Sequence, residues 1–68
     1  MPKLTMKAAR INAGLTQKVA AEKLNISNKT LCKWERGETF PTPPKIEMIC
    51  ALYGVTYDNL IFLPNSSL

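Results

Sequence analysis

Gly, Asn and Pro cut this chain at such short intervals that it can hold only short helices, and a capping residue stands at nearly every cut. Thr5 is placed to cap a piece running from Met6 to Ala13, and Gly14 ends it, because glycine takes the left-handed conformation that closes a helix. Thr16 opens a second piece, Gln17 to Leu24. Asn25 follows where a turn needs positive φ, which Asn tolerates best after glycine. Ser27 opens a third piece, Asn28 to Arg36, closed by Gly37. After the break at Pro41-Thr42-Pro43-Pro44, Thr42 is the expected cap of a fourth helix. Pro43 would take its first position, where a missing N–H costs nothing. That helix should run to Tyr53 and stop at Gly54. A fifth piece, Tyr57 to Phe62, is expected after the cap Thr56, and Pro64 ends the pattern.

Apolar spacing agrees with helices. Ile46, Ile49, Cys50 and Tyr53 recur at i, i+3, i+4 and i+7, Leu31 and Trp34 lie three apart, and so do Ala21 and Leu24. No stretch alternates with period two long enough to predict a strand. The expected class is therefore all-α. The 68 residues leave room for one small core.

The chain has two cysteines, Cys32 and Cys50, and no histidine. A zinc site needs about four ligands, so no metal or cofactor is expected, and both cysteines read as packing residues. With no histidine base, no paired carboxylates and no Gly-rich phosphate loop, an enzyme is not expected. The first seven residues contain no apolar leader core, and no apolar run approaches a membrane span. The expectation is a cytoplasmic protein, nucleoid-associated, with reduced thiols, no membrane partner and no small-molecule ligand.

Within Thr16–Gly37, two short helices meet at a tight turn, Asn25-Ile26-Ser27. Ala21 is small enough to let them cross closely. Ile26 would plug the turn, and Leu31 and Trp34 would anchor the second helix. These are the mechanical demands of a helix-turn-helix. The opposite face then carries Asn28, Lys29 and Lys33. Asn can pair bidentately with adenine and Lys can donate to guanine. Residues at the start of such a helix, Asn28 and Lys29, would lie deepest in the major groove. Charge points the same way. Residues 1–37 carry eight cations against Glu22 and Glu35, a net +6, whereas residues 38–68 carry Lys45 against Glu38, Glu47 and Asp58, a net −2. A basic face with an acidic back suits a polyanion partner.

Taken in order, Arg10, Gly14-Leu15-Thr16-Gln17, Ala21-Glu22-Lys23-Leu24, Ile26-Ser27, Trp34-Glu35-Arg36-Gly37, Pro41, Gly54-Val55-Thr56 and Leu60 resemble the phage repressor and Cro-like (XRE-like) helix-turn-helix family. The resemblance covers about residues 4–62. It implies a lambda-repressor-like fold, a compact five-helix bundle over residues 1–63 with a flexible tail at 64–68, and binding to a double-stranded DNA operator. It further implies that Asn28 and Lys29 read bases, with Thr30 and Lys33 beside them. Gln17, Lys18, Ser27, Arg36 and Thr39 would contact phosphates. Arg10 would join them, turned towards DNA by an ion pair with Glu35. Glu38 departs from the pattern by placing an acid in a loop that is often basic.

One such unit reads few base pairs, so a homodimer is expected, formed at least on DNA. Leu60, Ile61, Phe62 and Leu63 make a consecutive apolar run that a short terminal helix cannot bury whole, and they are the expected contact. The short chain suggests a Cro-like transcriptional repressor on a near-palindromic operator, without a sensor domain. The competing reading is an antitoxin that neutralises a toxin and controls its own promoter.

Overall fold

A computed structural model describes residues 3–62. Four α-helices follow a two-residue strand: β1 (Leu4–Thr5), α1 (Met6–Asn12), α2 (Gln17–Lys23), α3 (Asn28–Arg36) and α4 (Pro43–Tyr53). A single 3-10 turn, Tyr57–Asn59, leads into β2 (Leu60–Ile61).

The caps explain where the helices begin. Thr5, Thr16 and Ser27 are extended at their N-caps, and their hydroxyls accept from the N–H groups of Ala8 (3.1 Å), Val19 (3.2 Å) and Thr30 (3.0 Å). Each such cap contributes about 1 kcal/mol. Thr42 also stands extended before α4, but its hydroxyl makes no cap bond. A capping oxygen seeks the N–H of the second or third helical residue, and here the second is Pro44, which has none. Pro43 and Pro44 still start the helix, because their fixed φ suits its first turn.

Asn25, at φ 59°, turns the chain between α2 and α3. Behind it the Ile26 N–H donates to Ala21 O at 3.0 Å, and the Lys45 ammonium donates to Leu24 O at 2.7 Å. That ammonium satisfies a carbonyl left over at the end of α2 and ties α4 to the turn.

The core is built from Met6 and Ala9 of α1, Ala20 and Ala21 of α2, Leu24, Leu31 and Trp34 of α3, Ile49 and Tyr53 of α4, and Leu60. Ile26 packs against it from the turn, as expected of a plug. Ala20 and Ala21 of α2 are both buried, so α2 turns two methyl groups into the core.

The fifth element corrects the sequence expectation of a helix over Tyr57–Phe62. The Thr56 hydroxyl donates to Asn59 Oδ1 at 2.6 Å instead of capping, and one 3-10 turn forms. Leu60 is already extended, and β2 pairs with β1 in parallel, Leu4 opposite Leu60 and Thr5 opposite Ile61. The partner strand lies at the other end of the sequence, where no local pattern could announce it. Two-residue strands are also too short to show a period of two.

Candidate nucleic-acid interface

The phase of α3 is settled by what it buries. Leu31, Trp34 and Glu35 face inward, with Leu31 wholly buried and Trp34 9% exposed. Asn28, Lys29 and Arg36 are exposed, and Cys32 and Lys33 are half-buried. Asn28, Cys32 and Arg36 succeed each other at intervals of four, which places them on one stripe. Together with Gln17, Lys29 and Lys33 they line an open hollow of about 420 Å³. The wall of this hollow is cationic and amide-bearing, a surface fitted to hydrogen-bond acceptors.

A second hollow of about 590 Å³ adjoins it at the junction of α1, α2 and α3, and shares Gln17, Cys32 and Arg36 with the first. Beneath it lies a buried ion pair. Arg10 Nε–H donates to Glu35 Oε2 at 2.7 Å and Nη2–H donates to Oε1 at 3.3 Å, while Nη1–H donates to Leu15 O at 3.0 Å. Only 9% and 5% of the two side chains remain exposed. Gln17 Nε2–H donates to Glu35 Oε1 at 3.2 Å, so the carboxylate also orients the Gln17 amide. The sequence expectation made Arg10 a phosphate contact turned outward by Glu35. The pair is present, but it holds the guanidinium inside, where three of its nitrogens serve protein acceptors. Glu35 thus joins the buried Arg10 guanidinium to the Gln17 amide.

Ser27 and Thr30 are bound to each other. The Ser27 hydroxyl donates to Thr30 Oγ1 at 2.9 Å and accepts from the Thr30 N–H. Neither lines the two hollows. Thr30, expected among the base readers, is thus part of the α3 cap. Lys18 and Thr39 are exposed and lie outside both hollows.

Arg36 is exposed and pairs with Glu38, its Nε–H donating to Oε2 at 2.6 Å. The hydrogen bond and the charge of Glu38 raise the guanidinium pKa further above its ordinary value. This acid in the loop therefore draws off part of the charge that Arg36 offers a polyanion.

Sequence reasoning missed Lys7 and Cys32. Lys7 lines the second hollow and Cys32 lines both. Cys32 was expected to be a packing residue, yet its i+4 relation to Asn28 already placed it on the outward stripe. Lys7 carried no local signal, because the element that brings it to α3 is the packing of α1.

Of the expected pairing residues, Leu60 is 6% exposed and packs into the chain's own core. Ile61 is exposed and Phe62 is half-buried, while Leu63 lies outside the described residues. The exposed apolar surface is wider than that run. Phe40 and Tyr57, 59% and 60% exposed, join Pro41, Ile46 and Phe62 around a shallow depression. The Tyr57 and Phe62 rings lie 5.9 Å apart.

Among the described residues, no group of three or more Cys, Asp or Glu side chains is placed to hold a metal, and no helix is long and apolar enough to cross a membrane.

The helix-turn-helix family model matches residues 6–60. The chain is 45% identical over 56 residues to the HTH-type transcriptional regulator ImmR of Bacillus subtilis (strain 168), a match covering 82% of this chain and 44% of that protein. It is 35% identical over 52 residues to the HTH-type transcriptional activator BcrR of Enterococcus faecalis, covering 76% of this chain and 26% of that protein. The chain spans less than half the length of these relatives. No solved structure matches it.

Proposed function

Since the chain belongs to the XRE/Cro-like helix-turn-helix family, we propose that it binds double-stranded DNA sequence-specifically through α3 and regulates transcription. The observation that carries this reading is the phase of α3. Its buried side holds Leu31, Trp34 and Glu35, and its open side offers Asn28, Lys29 and Lys33 to a groove. Asn28 and Lys29, on the first turn, reach base edges; Lys33 and Arg36 lie further along the stripe towards the flanking backbone.

The finer reading is a Cro-like repressor working in the cytoplasm on a near-palindromic operator, as a homodimer. Regulation follows from occupancy of the site. Exposed Phe40 and Tyr57, gathered with half-buried Phe62 around one depression, support pairing of two copies, since an apolar surface of this kind is commonly covered by a partner.

Selection of binding sites from random duplex DNA tests the proposal. A short inverted repeat should emerge, with half-sites about one helical turn, roughly 34 Å, apart. Affinity should fall steeply with salt, since each neutralised phosphate releases counterions. Failure to enrich any duplex at low salt would refute DNA reading; enrichment of a single asymmetric site would refute only the dimeric form.

A further inference from the structure

We propose that Lys45 of α4 is a positioning residue for sequence reading: by holding the Leu24 carbonyl it fixes the turn from which Asn28 and Lys29 project. This role presupposes the reading of α3 given above and adds to it a residue on another helix, outside both cationic hollows.

The two ends of α3 are held differently. Leu31, Trp34 and Glu35 anchor its middle and its C-terminal part, the first two in the core and the third in the pair with Arg10. Its first turn has no such anchor. Asn28 and Lys29 are exposed, and Thr30 is half-buried and bonded to its own cap, Ser27. The start of α3 therefore takes its direction from Asn25-Ile26-Ser27. Ile26 packs that turn against the core, and Lys45 ties it by a hydrogen bond.

The bond falls where the chain changes direction. The N–H groups of Leu24, Asn25 and Ile26 donate back to the carbonyls of Ala20, Glu22 and Ala21. The Leu24 carbonyl is left to Lys45 Nζ, at 2.7 Å. Leu24 is wholly buried and keeps the helical conformation, and Asn25 after it turns to φ 59°. Lys45 is half-buried, and no carboxylate lies within ion-pair distance of it among the described residues. Its charge is thus directed to the carbonyl, as suits a cation at a helix C-terminus.

Length makes the tie matter. The nine residues of α3 span about 13 Å, so a tilt of about 10° about its anchored end would move the first turn by about 2 Å. Hydrogen-bond lengths spread over only about 0.5 Å. A slack turn would therefore spoil contacts to base edges, whereas phosphate contacts, which carry no sequence, would survive.

The experiment uses the full chain, a duplex obtained by site selection and a scrambled duplex. Lys45→Met keeps the stem and removes the donor. It should weaken binding to the selected duplex several-fold and leave binding to the scrambled one unchanged. The slope of log affinity against log salt should also stay the same, whereas loss of a lysine touching phosphate would reduce it by about 0.9. Lys45→Arg, which restores a donor, should recover the preference between the duplexes. Ile49→Val, a core change on the same helix, controls for lost stability and should leave the preference intact. An unaltered preference in Lys45→Met overturns the role while DNA reading stands. So do an equal loss on both duplexes, a reduced salt slope, or the same loss of preference in Ile49→Val. Absence of binding by the unaltered chain to every duplex overturns both. If Lys45→Met does not fold, lysine acetylation of the unaltered chain decides. Lys45 should react slowly beside exposed Lys18 and Lys23, equally with and without duplex, while exposed Lys29 slows only on DNA. A Lys45 that reacts as fast as Lys23 in the free chain, or that gains protection from DNA, removes the role.

Discussion

Two side chains of the reading stripe carry the sharpest test at the scale of single residues. Asn28 and Lys29 are exposed and support nothing in the core, so their loss should leave the fold intact. Asn28→Ala or Lys29→Ala is expected to weaken binding to the selected duplex by about 1–3 kcal/mol, and to relax the preference at one base pair each. Melting curves that match the parent, together with a binding titration, check this. Tyr53 behaves differently. Its hydroxyl is buried with no hydrogen-bond partner among the described residues. Burial foremost, with Glu35 acting in the same sense and Arg10 against, pushes its pKa up to about 12. Tyr53→Phe removes the unpaired hydroxyl and should raise stability by about 1 kcal/mol. The pH dependence has a definite sign. Between pH 10 and about 12 the folded chain keeps the phenolic proton that the unfolded chain has released. The contribution is complete below that window and is lost as pH climbs through it. Thermal melts from pH 9 upward should therefore fall less steeply for Tyr53→Phe than for the parent.

Between elements, the junction of α1, α2 and α3 is held by the Arg10–Glu35 pair, which also aims Gln17. Removing one partner strands a buried charge, so Glu35→Gln or Arg10→Met should cost about 3–5 kcal/mol. Replacing both by apolar residues of similar size should recover much of that stability. DNA affinity should not return with it, because nothing then fixes the Gln17 amide. Urea unfolding of the two single variants and the double variant, read beside their duplex binding, separates these outcomes. Full recovery of both would mean that the pair merely fills space. This junction was only half legible in the sequence. Arg10 and Glu35 were picked out by their resemblance to a known pattern, but the direction of the guanidinium depends on the Leu15 carbonyl, which the turn after α1 supplies.

On the scale of the molecule, the chain has a cationic side, where α3 meets α1, and an apolar side, where Phe40, Tyr57 and Phe62 gather. Pairing through the apolar side should make operator binding depend on two copies. Phe40→Ser combined with Tyr57→Ser is expected to keep the melting temperature, since both residues are largely exposed. Affinity for a full inverted repeat should drop towards that for a half-site, while half-site affinity stays the same. Sedimentation of the chain with each duplex checks the stoichiometry. A variant that still binds the full repeat as a dimer would place the pairing surface elsewhere.

The helices α1 to α4 could be read from the chain almost to the residue, because caps, left-handed closures and proline starts act within one turn of backbone. Thr5, Thr16, Ser27, Asn25 and Gly37 each work on their immediate neighbours. The outward stripe of α3 was legible for a similar reason, since Leu31 and Trp34 determine its phase. Contacts between distant parts of the chain escaped that reading. The β1–β2 pair joins Leu4 to Leu60, and it turns an expected helix into a strand and draws Leu60 into the core. Packing of α1 against α3 internalises Arg10 and brings Lys7 to the hollow that Arg36 also lines. Local backbone chemistry decides where a helix starts and stops; only the folded packing decides which charges are cancelled within the chain and which are left to meet a partner.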